Sequence, residues 1–134
     1  MGRSDEWLDA GVLLAACGGD ATILDALKNA VRASLPEAFA RLEGAFRRGD
    51  ARPLREAAHS FHGMVATVSS LAGSAASTVE DAAADGALAR ADEALEQLKA
   101  VTGSILAGIG GVTLERLEAL ADPGARVSKG SRKG

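Results

Sequence analysis

The sequence predicts an all-α protein: an antiparallel four-helix bundle with an additional N-terminal helix and a short C-terminal helical extension. Three observations predict it. Hydrophobic residues make up 47% of the 134-residue chain, much of it alanine and leucine, while aromatics are only 3%; this is the composition of closely packed helices. Apolar positions recur at steps of three and four along most of the chain, the period of one helix face. No segment alternates polar and apolar residues with β-branched richness, and no repeat of fixed period appears.

The elements follow in order. Ser4 can cap a first helix that runs through Cys17 and stops at Gly18-Gly19. Its apolar set is Trp7, Leu8, Val12, Leu13 and Ala15/Ala16, with Trp7 as a core anchor. Asp20 is a suitable N-cap for a second helix. Leu24, Leu27, Val31, Leu35, Phe39, Leu42 and Phe46 form its stripe, and Gly49 ends it. Pro36 predicts a kink or break inside it. Asp50 can cap a third helix with Pro53 in its first turn. Leu54, Ala58, Phe61, Val65 and Val68 make the buried seam of that helix.

Ser69-Ser70 suggests a turn. A fourth helix then holds Leu71, Ala75/Ala76 and Val79 and ends near Asp85-Gly86. A fifth begins near Ala87 with Leu88, Ala91, Leu95, Leu98, Val101, Ile105 and Ile109, spaced almost as a heptad. Gly108, Gly110 and Gly111 break it, and Val112 to Ala121 forms a short last helix. Residues 1–121 are therefore read as one bundle domain, and 122–134 as a flexible basic tail, solubilising rather than steering the chain to an acidic partner.

Charge and composition exclude several function classes. A net charge of −3 gives no support for wholesale nucleic-acid binding. No apolar run is long enough for a membrane span or a signal core, so no membrane association is expected. Cys17 is the sole cysteine, which suits a reducing compartment, and a cytoplasmic monomer is the expectation.

The chemistry concentrates on the third helix, which carries both histidines, His59 and His62. At roughly 100° per residue the seam positions stay within about 40° of one direction; His59 then lies about 140° away and His62 about 80° away. His59 faces solvent, and His62 sits on the boundary. Gly63 falls about 180° from the seam, so core packing does not require it. It costs the helix roughly 1 kcal/mol relative to alanine. It lies one turn after His59 and bares the backbone there, and Ala66 beyond it is also small. Arg55 and Arg52 lie one and two turns before His59, where positive charge suits a phosphoryl group or an acidic partner.

Imidazole is a capable nucleophile near neutral pH. A phosphorylated imidazole is suited to passing the group on, and such transfer needs in-line geometry and charge neutralisation above all. The chain carries no P-loop and no kinase signature, so a partner must supply donor and metal. Glu56, His59 and His62 are also spaced as Glu-x-x-His-x-x-His, but metal sites of that kind project into a bundle, and His59 points out. A thiol chemistry at Cys17 is disfavoured because Cys17 ends an apolar helix and reads as a small packing residue.

The run Ala58-His59-Ser60-Phe61-His62-Gly63 closely resembles the histidine-containing phosphotransfer (HPt) family, whose signature reads roughly A-H-[ST]-[LF]-K-G. Gly18-Gly19-Asp20, the stretch from Phe39 to Asp50, and Val79-Glu80 resemble further family features, so the resemblance spans roughly residues 5 to 109. It implies a phosphorelay intermediate rather than an enzyme. His59 would take a phosphoryl group from a receiver-domain aspartate and pass it to another response regulator. The partners implied are receiver domains and a hybrid histidine kinase, with Mg²⁺ held by the receiver and no cofactor on this chain. Gly63 matches the glycine that lets the receiver approach. A binding-only bundle that docks a receiver or kinase without accepting phosphate is the alternative. Two departures stand out. The family lysine is replaced by His62, a residue type without lysine's permanent charge, for which Arg55 could compensate. Ser69 stands where glycine is frequent, in a turn that looks one residue short.

Overall fold

The computed structural model describes residues 6–121. It is all-helical, with no strand among the described residues. The helices are α1 (Ala10–Cys17), α2 (Ala21–Arg48), α3 (Ala51–Val65), α4 (Ser70–Ala84), α5 (Leu88–Gly108) and α6 (Leu114–Ala121), with a 3₁₀ turn at Ile109–Gly111. α2 packs on α3, α3 on α4, α4 on α5 and α5 back on α2, and α1 pairs with α6. The expected tail, 122–134, lies outside the described residues.

The helix ends follow local chemistry. Asp20 accepts hydrogen bonds from the N–H groups of Thr22 and Ile23, at 2.8 and 3.3 Å, and starts α2. Gly49 adopts φ +71°, and its N–H donates to the Phe46 carbonyl, closing the last turn. Asp50 occupies the N-cap position of α3 as expected, but its side chain makes no capping hydrogen bond; it pairs with Arg48 at 3.7 Å instead. Ser69 caps α4, accepting from the Ala72 N–H at 3.0 Å, and is fully buried. Its φ of −149° is ordinary extended backbone, so glycine is not required there.

Three sequence expectations are corrected. The first helix starts at Ala10, not Ser4; Ser4 itself lies outside the described residues. Asp9 is the cap: its carboxylate accepts from Val12 N–H and the Ser70 hydroxyl, while its own N–H donates to the Val68 carbonyl. Within α1 the buried residues are Ala10, Leu13 and Cys17, whereas Val12, Ala15 and Ala16 are exposed. The helix is apolar all round, so its sequence could not reveal which face turns inward. Pro36 does not break α2, which runs continuously past it. Pro36 and Arg32, whose carbonyl would have accepted the missing N–H, are both exposed, so the orphaned group is on the wet side of the helix.

The core is aliphatic around one aromatic pair, Phe39 and Phe61, meeting edge-on at 6.1 Å. The predicted α3 seam, Leu54, Ala58, Phe61, Val65 and Val68, is buried throughout. The α4 side is alanine-rich: Ala72, Ala75, Ala76, Ala82 and Ala83 with Val79. Leu71 and Leu88, expected inside, are instead 48% and 39% exposed. Small residues fill the α4 face, so the two helices approach without the larger side chains between them. Trp7 is buried as predicted. Gly108 makes room for it: an added Cβ would stand 3.0 Å from the indole Cζ2. That glycine thus serves space as well as standing where α5 ends, as the sequence predicts.

Gly73, near the start of α4, has the opposite character. A Cβ there would meet Ala66 and His62 at 3.6–3.7 Å, ordinary contact distances. Gly73→Ala is expected to raise stability by about 0.5–1 kcal/mol, because glycine carries excess conformational entropy in a helix. A urea titration checks it, and a lowered midpoint would contradict the packing described.

Candidate functional site

α3 positions the candidate residues. With its apolar seam buried, His59 is forced outward, and its side chain is 77% exposed. Its Nδ1 lies 3.1 Å from Glu80 Oε2 on α4. Glu80 is only 23% exposed, because the neighbouring Val79 is fully buried and holds that stretch of α4 against α3. A carboxylate oxygen accepts hydrogen bonds, so the contact suits the tautomer with the ring proton on Nδ1. In that tautomer the lone pair of Nε2 is left for chemistry.

A shallow open groove is lined by Arg52, Arg55, Glu56, His59 and Glu80. Arg52 pairs with Glu56 at 3.5 Å, while Arg55 is exposed with no ion-pair partner among the described residues. The structure thus gathers His59, Arg55 and Arg52 on one side. His62 and Ala66 go to another: both are half-buried and lie over Gly73 of α4. For His62 this is the boundary position its phase predicts. Ala66 is less open than its phase alone implies, because it caps α3 where the chain turns toward α4. Gly63 is exposed, and an added Cβ would meet nothing within 4 Å. Nothing inside the molecule demands a glycine there.

Glu80 is the residue whose role sequence reasoning missed. Its signal is present in the sequence, where Val79-Glu80 is a family-like pair, but helix phase on one element does not reveal a partner on another. Cys17 is fully buried, its thiol directed at the Leu14 carbonyl, consistent with packing. Glu56 is turned to Arg52, and among the described residues no three His, Cys, Asp or Glu side chains converge as metal ligands would.

Residues 26–108, more than half of the chain, match the family model of the Hpt domain. The chain belongs to the Hpt domain family. Hpt domains act in two-component phosphorelays, as phosphotransfer carriers rather than catalysts, and they interact with receiver domains. The match spans most of α2 together with α3, α4 and α5. The Gly18-Gly19-Asp20 resemblance, α1 and α6 fall outside it. No curated protein and no solved structure matches this Hpt chain.

The Glu80 contact yields a graded expectation. Glu80→Ala should slow phosphoryl transfer by on the order of 10- to 100-fold, since both ring orientation and the nearby negative charge are lost. Glu80→Gln should fall between, because its amide oxygen still accepts from Nδ1 without charge. Rapid-quench transfer kinetics distinguish the three; equal rates would remove Glu80 from the site.

Proposed function

We propose that His59 accepts a phosphoryl group from a receiver-domain aspartate and passes it to another response regulator. The single observation that carries this reading is the exposed imidazole of His59, tied at Nδ1 to Glu80 with Nε2 left outward. In the transfer, the Nε2 lone pair attacks phosphorus, the acyl-phosphate P–O bond breaks, and the aspartate leaves as carboxylate. The ring keeps its Nδ1 proton and becomes a phosphoimidazolium, whose positive charge faces Glu80. The return step reverses this. Mg²⁺ belongs to the receiver. Arg55, in the groove beside His59, supplies the permanent positive charge that the family lysine would give, while His62 packs against α4.

In this reading the chain is a cytoplasmic, monomeric carrier in an antiparallel four-helix bundle, loaded by a hybrid histidine kinase. The short connections between α2, α3, α4 and α5 favour antiparallel neighbours. No single helix among the described residues is long and apolar enough to cross a membrane.

The test is label transfer from phosphorylated receiver domains. The expected product is one acid-labile, base-stable phosphate per chain, retained in His62→Gln. Phosphate that survives acid, or that vanishes in His62→Gln, would overturn the assignment. Arg55→Ala is expected to slow transfer roughly tenfold, and unchanged rate and phosphohistidine lifetime would show that no compensation occurs. The position of His62 favours one second reading, a docking module that binds receivers without accepting phosphate; receiver binding without label from any donor would decide for it.

A further inference from the structure

Residues 41–56 carry five arginines against three carboxylates, in a chain whose net charge is −3. The basic excess gathers where α2 ends and α3 begins. The side chains of Arg47, Arg48 and Arg52 are 73%, 62% and 87% exposed. Their ion pairs, with Glu43, Asp50 and Glu56, are 3.5–3.7 Å long, and exposed pairs of this kind add little to stability.

Folding accounts for two of these arginines. Arg47 and Arg48 stand in the last turn of α2, where the helix dipole favours cations. Arg52 stands in the first turn of α3, where the dipole disfavours a cation, and that turn holds no acidic residue; Arg55 follows one turn on. The Arg52–Glu56 pair runs with the cation first, the weaker order for a helix. Asp50 withholds its capping bond and turns to Arg48. The start of α3 therefore departs from folding preference in three ways at once, directly beside the His59 groove. Such local departures concentrate where function sets the residue.

We propose that Arg47, Arg48, Arg52 and Arg55 form an electrostatic docking surface for an acidic rim of the receiver domain, flanking its phosphorylated aspartate. The proposal rests on His59 being the transfer centre. Gly63, one turn after His59, gives the partner room but no charge; the arginines give charge on the other side. Opposed charges of this kind speed encounter and fix register. A protein rim fits better than a polyanion. Glu43, Asp50 and Glu56 interrupt the arginines, and the negative excess of the remaining chain repels nucleic acid or an anionic membrane.

The test is binding rather than transfer. The full chain carrying His59→Gln is titrated with isolated receiver domains, loaded with Mg²⁺ and beryllofluoride, at about 20 mM and about 500 mM salt. Binding is expected to weaken roughly tenfold across that range. Adding Arg52→Glu should weaken it about tenfold at low salt only, with Arg52→Gln between. The urea midpoint should shift little, since the negative charge gained in the first turn offsets the lost pair with, and new repulsion from, Glu56. Salt-independent binding, full affinity in Arg52→Glu, or no binding to any receiver would overturn the proposal. So would an Arg52→Glu effect seen with duplex DNA or anionic vesicles and not with receivers. Docking that behaves as expected in a chain whose wild type never takes label would overturn the phosphoacceptor role and leave the docking surface standing.

Discussion

Replacing His59 with glutamine is expected to abolish phosphoryl labelling by every receiver while leaving the fold unchanged. The loss should be complete because the chain has one other histidine, His62, and it is placed away from the groove. His62 is half-buried against α4, outside the groove that His59 shares with Arg55 and Glu80. The stability change should stay within about 1 kcal/mol, since the His59 side chain is itself 77% exposed and, among the described residues, loses one hydrogen bond, that to the half-buried Glu80. Labelling and thermal unfolding, measured on the same preparation, separate the two effects. Residual label at full stability would place the acceptor elsewhere.

Gly63→Leu is expected to push stability and function in opposite directions. The site is an exposed helix position with open space around it, so leucine should stabilise α3 by roughly 0.7 kcal/mol through helix propensity. The same side chain would stand one turn from His59 on the outer face, between the imidazole and any domain reaching it. In-line transfer tolerates little displacement, and about 1 Å of misplacement can cost 10²-fold. Transfer should fall about a hundredfold while the urea midpoint rises. A chain that is more stable and transfers normally would show that Gly63 has no docking role.

How much of this was legible in the sequence depends on the distance over which each feature is encoded. The α3 seam and the exposure of His59 follow from helical phase within one element, and both match the structure. The caps at Asp20 and Gly49 were readable for the same reason. α1 was not: Val12 and Leu13 are equally apolar neighbours, and only packing against the rest of the molecule chooses Leu13. A break at Pro36 does not follow, because its effect depends on whether the freed carbonyl meets water, a tertiary property. In the candidate site, the residues on α3 were legible and the carboxylate on α4 was not, since 21 positions separate Glu80 from His59.

The alanine-lined seam between α3 and α4 has a consequence beyond packing. Gly73 and Ala76 hardly project from α4, and a Cβ added at Gly73 would stand only 3.6 Å from the Ala66 Cα of α3, so small residues let the two helices come close there. Glu80 then has only the remaining gap to bridge, and it meets His59 at 3.1 Å. The seam therefore works as a spacer gauge for the imidazole. A larger residue at Ala76, one turn from Glu80, would be read out at the surface as a histidine that has lost its bearing.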